Sequence, residues 1–295
     1  FLFIVLLCLT SSTSTTFAQG YSGGAGTLED PYQINNLADL DSLCSNPTHW
    51  GYHFRLTADV DASATSTWDM GFIPIGNSTT KFTGRFHGAG FTISNLFINR
   101  PATDYSGFFG FIEGAVIDSL GLENVQIIGR TGTGGLVGFA GSSSLIKSCY
   151  VTVNVSCAAY HVGGMIGYLY NSMLDQCFFS GSVSTPYFNV GGLAGAMEGS
   201  QIMNSGATGS ASGLTSIGGL AGSVISGYFS RCYAAVSVPF NPSSGGLFGN
   251  FDGMSTEMSC CWDSIAAGTS FSPAGTALST SQMKNFRTFT NAAWD

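Results

Sequence analysis

Charged side chains are scarce in this chain, and basic ones are the scarcest. Only 9% of the 295 residues are charged, and nine Lys plus Arg against seventeen Asp plus Glu give a net charge of −8. A helical or coiled-coil repeat would be rich in Glu, Lys and Leu, and a nucleic-acid surface would need a clustered basic stripe. The composition therefore argues against both classes, and we expect no nucleic-acid partner.

Glycine, in contrast, is abundant and regularly placed. Six Gly-x-x-Gly units follow one another at steps of 28, 29, 28, 27 and 27 residues. Such regularity indicates one supersecondary unit that is copied and stacked, which makes a single elongated domain. The units begin at Gly107, Gly135, Gly164, Gly192, Gly219 and Gly246.

A second column of residues keeps the same period as the glycines. It lies ten or eleven residues after each unit and consists of Leu120, Cys149, Cys177, Ser205, Cys232 and Cys260. An apolar residue precedes it by three positions in the first five units: Ile117, Ile146, Leu174, Ile202 and Phe229. Two independent columns in phase confirm the register of the repeat.

The residues after the cysteine column alternate between apolar and polar. Val151, Val153 and Val155 face one way, and the intervening Thr152 and Asn154 face the other, which is the two-residue period of a strand. About three short strands fit a 28-residue coil, and parallel stacking of such coils predicts an all-β, single-stranded parallel β-helix, right-handed by the usual crossover rule. The paired glycines are expected at corners that need positive φ or lack room for a Cβ.

Four segments are predicted along the chain. Residues 1–19 read as an export signal, or alternatively as a retained apolar strand donated to a neighbouring copy; the run is too short to span a membrane. Residues 20–100 form an N-terminal cap with irregular first coils, 101–264 the six-copy β-helix, and 265–295 a closing segment.

Within the N-terminal segment, a short helix is expected after Asn36 as N-cap, covering the edges of the first coil. Strands are predicted after it, at residues 52–56, 72–76, 82–86 and 90–98.

The glycine units, the Ile-x-x-Cys column and upstream strings such as Asp30-Pro31-Tyr32 and Gly88-Ala89-Gly90-Phe91-Thr92-Ile93-Ser94 resemble proteins with the GLUG repeat motif. The C-terminal Ala293-Trp294-Asp295 is similar to the segment that closes such arrays. The resemblance implies a secreted or cell-surface β-helix of the adhesin-like and fibre-like kind, also found beside the catalytic part of some bacterial immunoglobulin proteases. It carries over no catalytic residue, and the His-Glu-x-x-His of a metalloprotease is absent.

The cysteine column has two interpretations. Stacking places Cys149 above Cys177 and Cys232 above Cys260, at a spacing that a disulfide permits. An oxidising compartment favours bonds, whereas small apolar thiols fill a packed ladder equally well, and we favour the thiol ladder over disulfides.

Candidate metal and modification sites are few. Asp59, Asp61 and Asp69 are a weak calcium candidate, since an Asp-x-Asp on a turn more often caps backbone amides. Asn77 and Asn154 lie in glycosylation sequons, which matter if the source is eukaryotic. No cofactor is expected.

The outward positions supply the remaining functional hypotheses. Tyr150, Phe178 and Tyr233 are expected to form an exposed aromatic column that binds sugar rings or a neighbouring filament. Two further columns form a flat hydroxyl strip, for which ice binding is a third and weaker hypothesis. They comprise Thr152, Ser180, Thr208 and Ala235, then Asn154, Ser182, Ser210 and Ser237.

Charges that an enzyme would need are sparse in the repeats. Asp118, Lys147, Asp175, Glu198 and Arg231 read as scattered, without a paired acid and base. The sequence therefore predicts a noncatalytic, secreted or cell-surface structural and adhesive module. Its partners would be further copies in a fibre, other surface proteins or glycans, and the alternative is a carbohydrate-binding or carbohydrate-active β-helix.

Overall fold

The computed structural model describes residues 20–290, in which the chain winds into a parallel β-solenoid. Each repeated coil passes through four sheets in turn, and all pairing between the strands of these sheets is parallel, because each strand lies on its copy one coil away. In the repeated coils, equivalent positions are 27 to 29 residues apart, as in Val137 on Ile166 and Ile166 on Ala194. The predicted all-β solenoid with coils of about 28 residues is confirmed.

The sheets are numbered in the order in which a coil meets them. Sheet 1 contains Thr133–Gly134, Val162–Gly163, Phe188–Gly191, Thr215–Gly218 and Ser244–Gly245. Sheet 2 contains Phe109–Glu113, Val137–Gly141, Ile166–Tyr170, Ala194–Glu198, Ala221–Ile225 and Phe248–Phe251.

The other two sheets extend into the N-terminal segment. Sheet 3 contains Tyr32–Ile34, His53–Leu56, Arg85–His87, Val116–Asp118, Leu145–Lys147, Met173–Asp175, Gln201–Met203, Tyr228–Ser230 and Thr256–Met258. Sheet 4 contains Val60–Asp61, Thr92–Ser94, Phe97–Asn99, Gly121–Gly129, Tyr150–Cys157, Phe178–Ser184, Gly206–Ser212, Tyr233–Ser237, Cys261–Asp263 and Thr276–Leu278.

A regular coil thus has four strands rather than the three expected. The additional strand is the short one of sheet 1, such as Val162–Gly163, which ends on a glycine and directly precedes the Gly-x-x-Gly unit. The strands of sheet 1 have only two to four residues, which is too short a run for the alternation by which the other strands were recognised. The strand next to the paired glycines was therefore not predicted from the sequence.

The paired glycines are required by close backbone approach and not by their φ angles. A Cβ on Gly164 would lie 2.3 Å from the carbonyl oxygen of Gly192 in the next coil and 2.1 Å from the Phe179 ring. A Cβ on Gly167 would lie 2.3 Å from the carbonyl carbon of Gly132 in the preceding coil. None of the Gly-x-x-Gly glycines has positive φ, so the second of the two expected reasons is the one that holds.

Left-handed corners are formed by residues other than these glycines. The residue before each member of the cysteine column has φ between 48° and 56°; these residues are Ser119, Ser148, Gln176, Asn204, Arg231 and Ser259. A second such column, with φ between 54° and 64°, lies two or three residues before each of the first five Gly-x-x-Gly units and comprises Tyr105, Gly132, His161, Asn189 and Ser216. Stacking on both sides holds these residues in a conformation that costs about 1 kcal/mol or more outside glycine.

In the N-terminal segment, the expected helix spans Leu37–Ser45, and the Asn36 side chain accepts from the amides of Ala38 and Asp39 at 2.9 and 3.2 Å. Short 3₁₀ turns occupy Pro47–His49 and Ser63–Thr67. The helix buries Leu40 and Leu43 completely, while its role as an edge cap stays a prediction.

Three strand predictions in this segment were wrong in detail. The strand predicted at residues 82–86 is observed as Arg85–His87, and Phe82 forms only an isolated bridge. Residues 72–76 form only an isolated bridge at Ile75, and the run 90–98 is divided into two strands. The division falls at Asn95, whose φ of 59° turns the chain between them. Irregular coil lengths here remove the repeat that made the later strands readable.

The C-terminal segment adds three short helices, Ser264–Ala267, Thr280–Met283 and Phe286–Thr290. One apolar core extends from Tyr21 to Ala267 through the inside of the coils. Within residues 20–290, no helix combines the length and apolar composition needed to cross a membrane. The export-signal and closing-motif predictions, on residues 1–19 and 293–295, lie outside the described residues.

Candidate binding surfaces

The cysteine column faces inward, as predicted. Cys149, Cys177, Cys232 and Cys260 are at most 1% exposed, and each thiol donates to the carbonyl two residues earlier in its own coil, at 3.2 to 3.6 Å. Ser205 makes the equivalent bond to Met203 at 2.5 Å, which explains how serine replaces cysteine in this column.

Burial raises the pKa of the Cys177 thiol well above its usual value, and the hydrogen bond with Cys232 does the same for Cys260. A raised pKa keeps the Cys177 and Cys260 thiols protonated at neutral pH, and the protonated form is a poor nucleophile. The choice between a thiol ladder and disulfides stays a prediction.

The predicted aromatic column exists in register but is uneven. Tyr150 and Phe178 pair directly and are 39% and 44% exposed, whereas Gly206 occupies the next position. The Tyr233 ring leans over Gly206 towards Phe178, with centroids 6.4 Å apart, and is half-buried beside Met283 and Lys284. Burial raises the pKa of Tyr233 accordingly. Of the three predicted rings, only those of Tyr150 and Phe178 are therefore widely exposed.

The Tyr150 ring is also held in place at its polar end. Its hydroxyl lies 3.0 Å from Thr92 Oγ1 and donates to Glu123 Oε1 at 2.7 Å. The neighbouring hydroxyl strip is in register, with Thr152 on Ser180 and Ser180 on Thr208. Glycan and ice binding by these columns stay predictions.

The smaller candidates lie at the surface. Asn77 is exposed, and its side chain accepts from the amides of Thr79 and Thr80, both at 2.9 Å. Asn154 is exposed in mid-strand and accepts from Ser182 Oγ at 2.6 Å. Glycosylation at either position stays a prediction.

The acidic turn of the calcium hypothesis is engaged in capping bonds. Asp59 accepts from the Thr92 amide at 2.8 Å, and Asp61 accepts from Ser63 and from Asn95 Nδ2, which lowers the pKa of Asp61. Residues 20–290 hold no group of three or more metal-ligating side chains. Calcium binding stays a prediction without a preformed ligand set in this region.

Charges that read as scattered in the sequence form a ladder on the outward face of sheet 3. Asp118 pairs with Lys147, and Lys147 pairs with Asp175, in successive coils. Arg85 Nε and Nη2 donate to Asp118 at 3.0 and 2.8 Å, and His87 Nδ1 contacts the other carboxylate oxygen. Lys147 Nζ lies 3.7 Å from Asp175. The scattered interpretation is wrong for these three positions, which share one column.

A further aromatic cluster was missed altogether. The rings of Phe111, Phe139 and Tyr168 stack in three successive coils of sheet 2, with centroids 4.4 and 5.3 Å apart and planes within 21°. Tyr105 stands edge-on to Phe139 at 5.2 Å and 73°, and His161 stands edge-on to Tyr168 at 5.2 Å and 86°. A signal was present, since each stacked ring directly follows the second glycine of its unit.

Between Tyr105 and His161 opens a cleft of about 400 Å³. The outer wall is Tyr160, which is 40% exposed and stacks on Phe188 at 5.2 Å and 4°. The rim is an ion pair in which Arg130 Nε donates to Asp104 Oδ1 at 2.7 Å and Nη2 donates to the second oxygen. The full lining is Asp104, Tyr105, Arg130, Thr131, Phe139, Ala159, Tyr160, His161 and Tyr168. We call this the aromatic cleft.

His161 is neutral in the aromatic cleft at physiological pH, because burial lowers its pKa to about 4. Asn189 Nδ2 lies 3.0 Å from His161 Nδ1, and an amide nitrogen can only donate, so the ring proton is on Nε2. The hydrogen bond from Arg130 lowers the pKa of Asp104, and this pair stays ionised. The cleft thus combines aromatic rings with a neutral imidazole and an internally compensated ion pair.

Two relatives match part of the sequence. Halomucin of Haloquadratum walsbyi is 40% identical over 166 residues, which are 54% of this chain and 2% of halomucin. A protein described as a Gly-rich membrane protein of Evansella cellulosilytica is 35% identical over 125 residues, 42% of this chain and 14% of that protein. The chain therefore spans a small part of either relative's length.

A solved structure shares the fold. A candidate immunoglobulin A1 protease from Bacteroides ovatus aligns with a TM-score of 0.61 over 93% of this chain and 91% of that chain. Sequence identity is 19%, so the likeness concerns the fold alone. No family model matches the chain, and its resemblance to the GLUG repeat family stays a prediction.

Proposed function

We propose that this chain is a noncatalytic extracellular module that acts as a stiff surface scaffold and adheres to glycans. The observation that carries the proposal is the uninterrupted parallel stacking of coils, in which apolar side chains and glycine backbone fill the interior. A stacked array of this kind offers long regular faces rather than one deep reaction centre. We therefore assign its function to the outward columns.

Composition and relatives support the extracellular placement. The outward columns are rich in Ser, Thr, Asn and Gly, and the chain is acidic, with a net charge of −8. One relative carries the name of a mucin and the other that of a membrane protein. We infer secretion or display at a cell surface from these names together with the fold.

Surface labelling tests the proposal directly. An antibody raised against residues 20–290 should label intact cells that produce the protein as strongly as permeabilised cells. The control is an antibody against a cytoplasmic protein of the same cells, which should label only after permeabilisation. Labelling that requires permeabilisation would contradict the extracellular assignment.

The charge ladder of sheet 3 supports a second candidate, a carbohydrate-active enzyme. Asp118 lies between Arg85 and His87, which groups a carboxylate with basic side chains on one outer face. However, these groups neutralise one another, and a general base needs a free lone pair directed at its substrate. Turnover of a polysaccharide by the wild type, abolished by Asp118→Asn, would establish this candidate in place of the noncatalytic module.

A further inference from the structure

We propose that the aromatic cleft is the glycan-binding site, and that it takes an uncharged hexose ring of an extended polysaccharide. The inference rests on the proposed adhesive function and assigns it to residues other than the outward column of Tyr150 and Phe178. It is carried by the shape of the cleft, by the compensation of its charges and by its free hydrogen-bond donors.

The shape of the cleft fits a flat, partly apolar ring. Its floor consists of the edges of Phe139 and Tyr168, because their faces cover each other at 5.3 Å. Tyr105 stands edge-on to Phe139, and His161 stands edge-on to Tyr168, with interplanar angles of 73° and 86°. Pyranose rings present C–H groups on their faces and hydroxyls around their edge, so aromatic walls with polar groups at the rim suit both.

The absence of a side chain at Gly132 contributes to this shape. Gly132 occupies the corner position between Tyr105 and His161, and a Cβ there would lie 2.7 Å from Tyr105 Cδ1. The glycine therefore lets the Tyr105 ring lie against the backbone of the next coil. A larger residue would displace this ring and narrow the cleft.

The charges of the cleft select against acidic sugars. Arg130 is its basic residue, and it already holds Asp104 through two hydrogen bonds. His161 adds no positive charge at neutral pH. A carboxylated or sulfated sugar would meet no uncompensated cation here and would approach a chain of net charge −8.

Donors nevertheless remain for neutral hydroxyls. A guanidinium has five N–H groups, and Asp104 uses two of those on Arg130. His161 carries its proton on Nε2, which has no hydrogen-bond partner among residues 20–290. Hydrogen bonds from a positively charged donor are stronger than those between neutral groups, so Arg130 is expected to orient the sugar.

The stacking of coils supplies test substitutions that the fold already contains. Tyr160 is equivalent to Thr131 in the preceding coil, and His161 is equivalent to Asn189 in the next. The double variant Tyr160→Thr/His161→Asn therefore removes the outer wall and the imidazole with residues used at those corners. Phe178→Ala is the matched control, since it removes an equally exposed ring outside the cleft.

The full chain is first screened on an array of neutral and uronic-acid oligosaccharides. The strongest neutral oligosaccharide is then titrated calorimetrically into the wild type and each variant. We expect binding of neutral but not of uronic-acid glycans, at least tenfold weaker for the double variant and within twofold of wild type for Phe178→Ala. Arg130→Gln, a second cleft variant, should weaken binding several-fold while the thermal midpoint stays unchanged.

Three outcomes would overturn the assignment. They are wild-type affinity in the double variant, loss of affinity in Phe178→Ala alone, or absence of neutral-glycan binding by the wild type. Surface labelling of intact cells is independent of all three. A protein that labels at the surface and binds no neutral glycan would remove this inference and leave the scaffold proposal standing.

Discussion

The N-terminal segment and the repeated coils fill the same tube in different ways. Residues 20–100 fill it with large rings, and Phe54, Phe72, Phe82 and Phe86 are all at most 1% exposed. The repeated coils fill it mainly with aliphatic side chains and cysteines, and they bring glycine backbone from successive coils into contact. Replacing a large side chain by a small one should therefore destabilise the N-terminal segment most. Replacing a glycine by a larger residue should destabilise the repeated coils most.

The largest effect is expected from removing a ring in the N-terminal segment. Phe86 is fully buried and stands edge-on to Phe108 and Phe109, at 5.7 and 5.5 Å. Phe86→Ala should cost about 3–5 kcal/mol in the free energy of unfolding, through lost burial and the cavity that remains. Chemical denaturation measures this free energy. The control is Phe240→Ala, because Phe240 is 95% exposed. Equal stability of the two variants would contradict the contrast.

The second-largest effect is expected from acid, which should destabilise the repeated coils through protonation of His161. The histidine pKa is 6.5 when solvated and about 4 in the fold, so between these values only the unfolded chain binds the proton. Stability consequently rises with pH across this window, by at most about 3 kcal/mol. The pKa of Asp104 is lowered from 3.8 in the fold, so protonation of this carboxylate decreases the stability further at lower pH.

Urea unfolding between pH 4 and 7 measures this slope. Facing His161 are Tyr160, Tyr168 and Asn189, and the Arg130–Asp104 pair lines the same cleft. His161→Asn should flatten the profile and leave the stability at pH 7 nearly unchanged. If stability changes with pH equally in the wild type and in this variant, the pH dependence arises from groups other than His161.

Adding one methyl group to a repeated coil should cost about as much as typical overpacking, 1–3 kcal/mol. Gly164→Ala places a Cβ 2.3 Å from the Gly192 carbonyl oxygen, and backbone cannot yield as a side chain can. Gly253→Ala is the control, because nothing lies within 4 Å of the added Cβ. In thermal unfolding, Gly164→Ala should lower the midpoint more than Gly253→Ala does. A larger decrease for Gly253→Ala would contradict the contrast between the two regions.

The smallest effect is expected at the start of the helix Leu37–Ser45. Asn36→Ala removes the acceptor for two backbone amides and should cost about 1 kcal/mol, whereas Asn36→Asp keeps an acceptor and should cost much less. Denaturation midpoints of the two variants provide the measurement. A midpoint for Asn36→Ala equal to wild type would show that the helix is held by Leu40 and Leu43 alone.

Much of the fold could be predicted because its rules are local in sequence. The alternation after Cys149 and the period between the glycine units placed inward and outward residues correctly from Tyr150 to Val155. The same period, applied to Phe111, Phe139 and Tyr168, would have revealed the stacked rings, and applied to Asp118, Lys147 and Asp175 it would have revealed the charge ladder.

The aromatic cleft could not be read in this way. Tyr105 and His161 lie at corners, where left-handed φ angles and not alternation decide the direction of a side chain. Their contacts with Phe139 and Tyr168 cross from one sheet to the next. A two-residue period contains no information on such contacts.

By itself, the sequence determined the length of a coil, the parallel stacking and the division between inside and outside, because each follows from the spacing of glycine and apolar residues. Only the tertiary structure decided which outward groups meet. Corners bend the chain through angles that depend on the coils above and below, and this brought Tyr105, Arg130 and His161 around one cleft. It also left Tyr233 half-buried and paired Asp118 with Arg85 from the preceding coil.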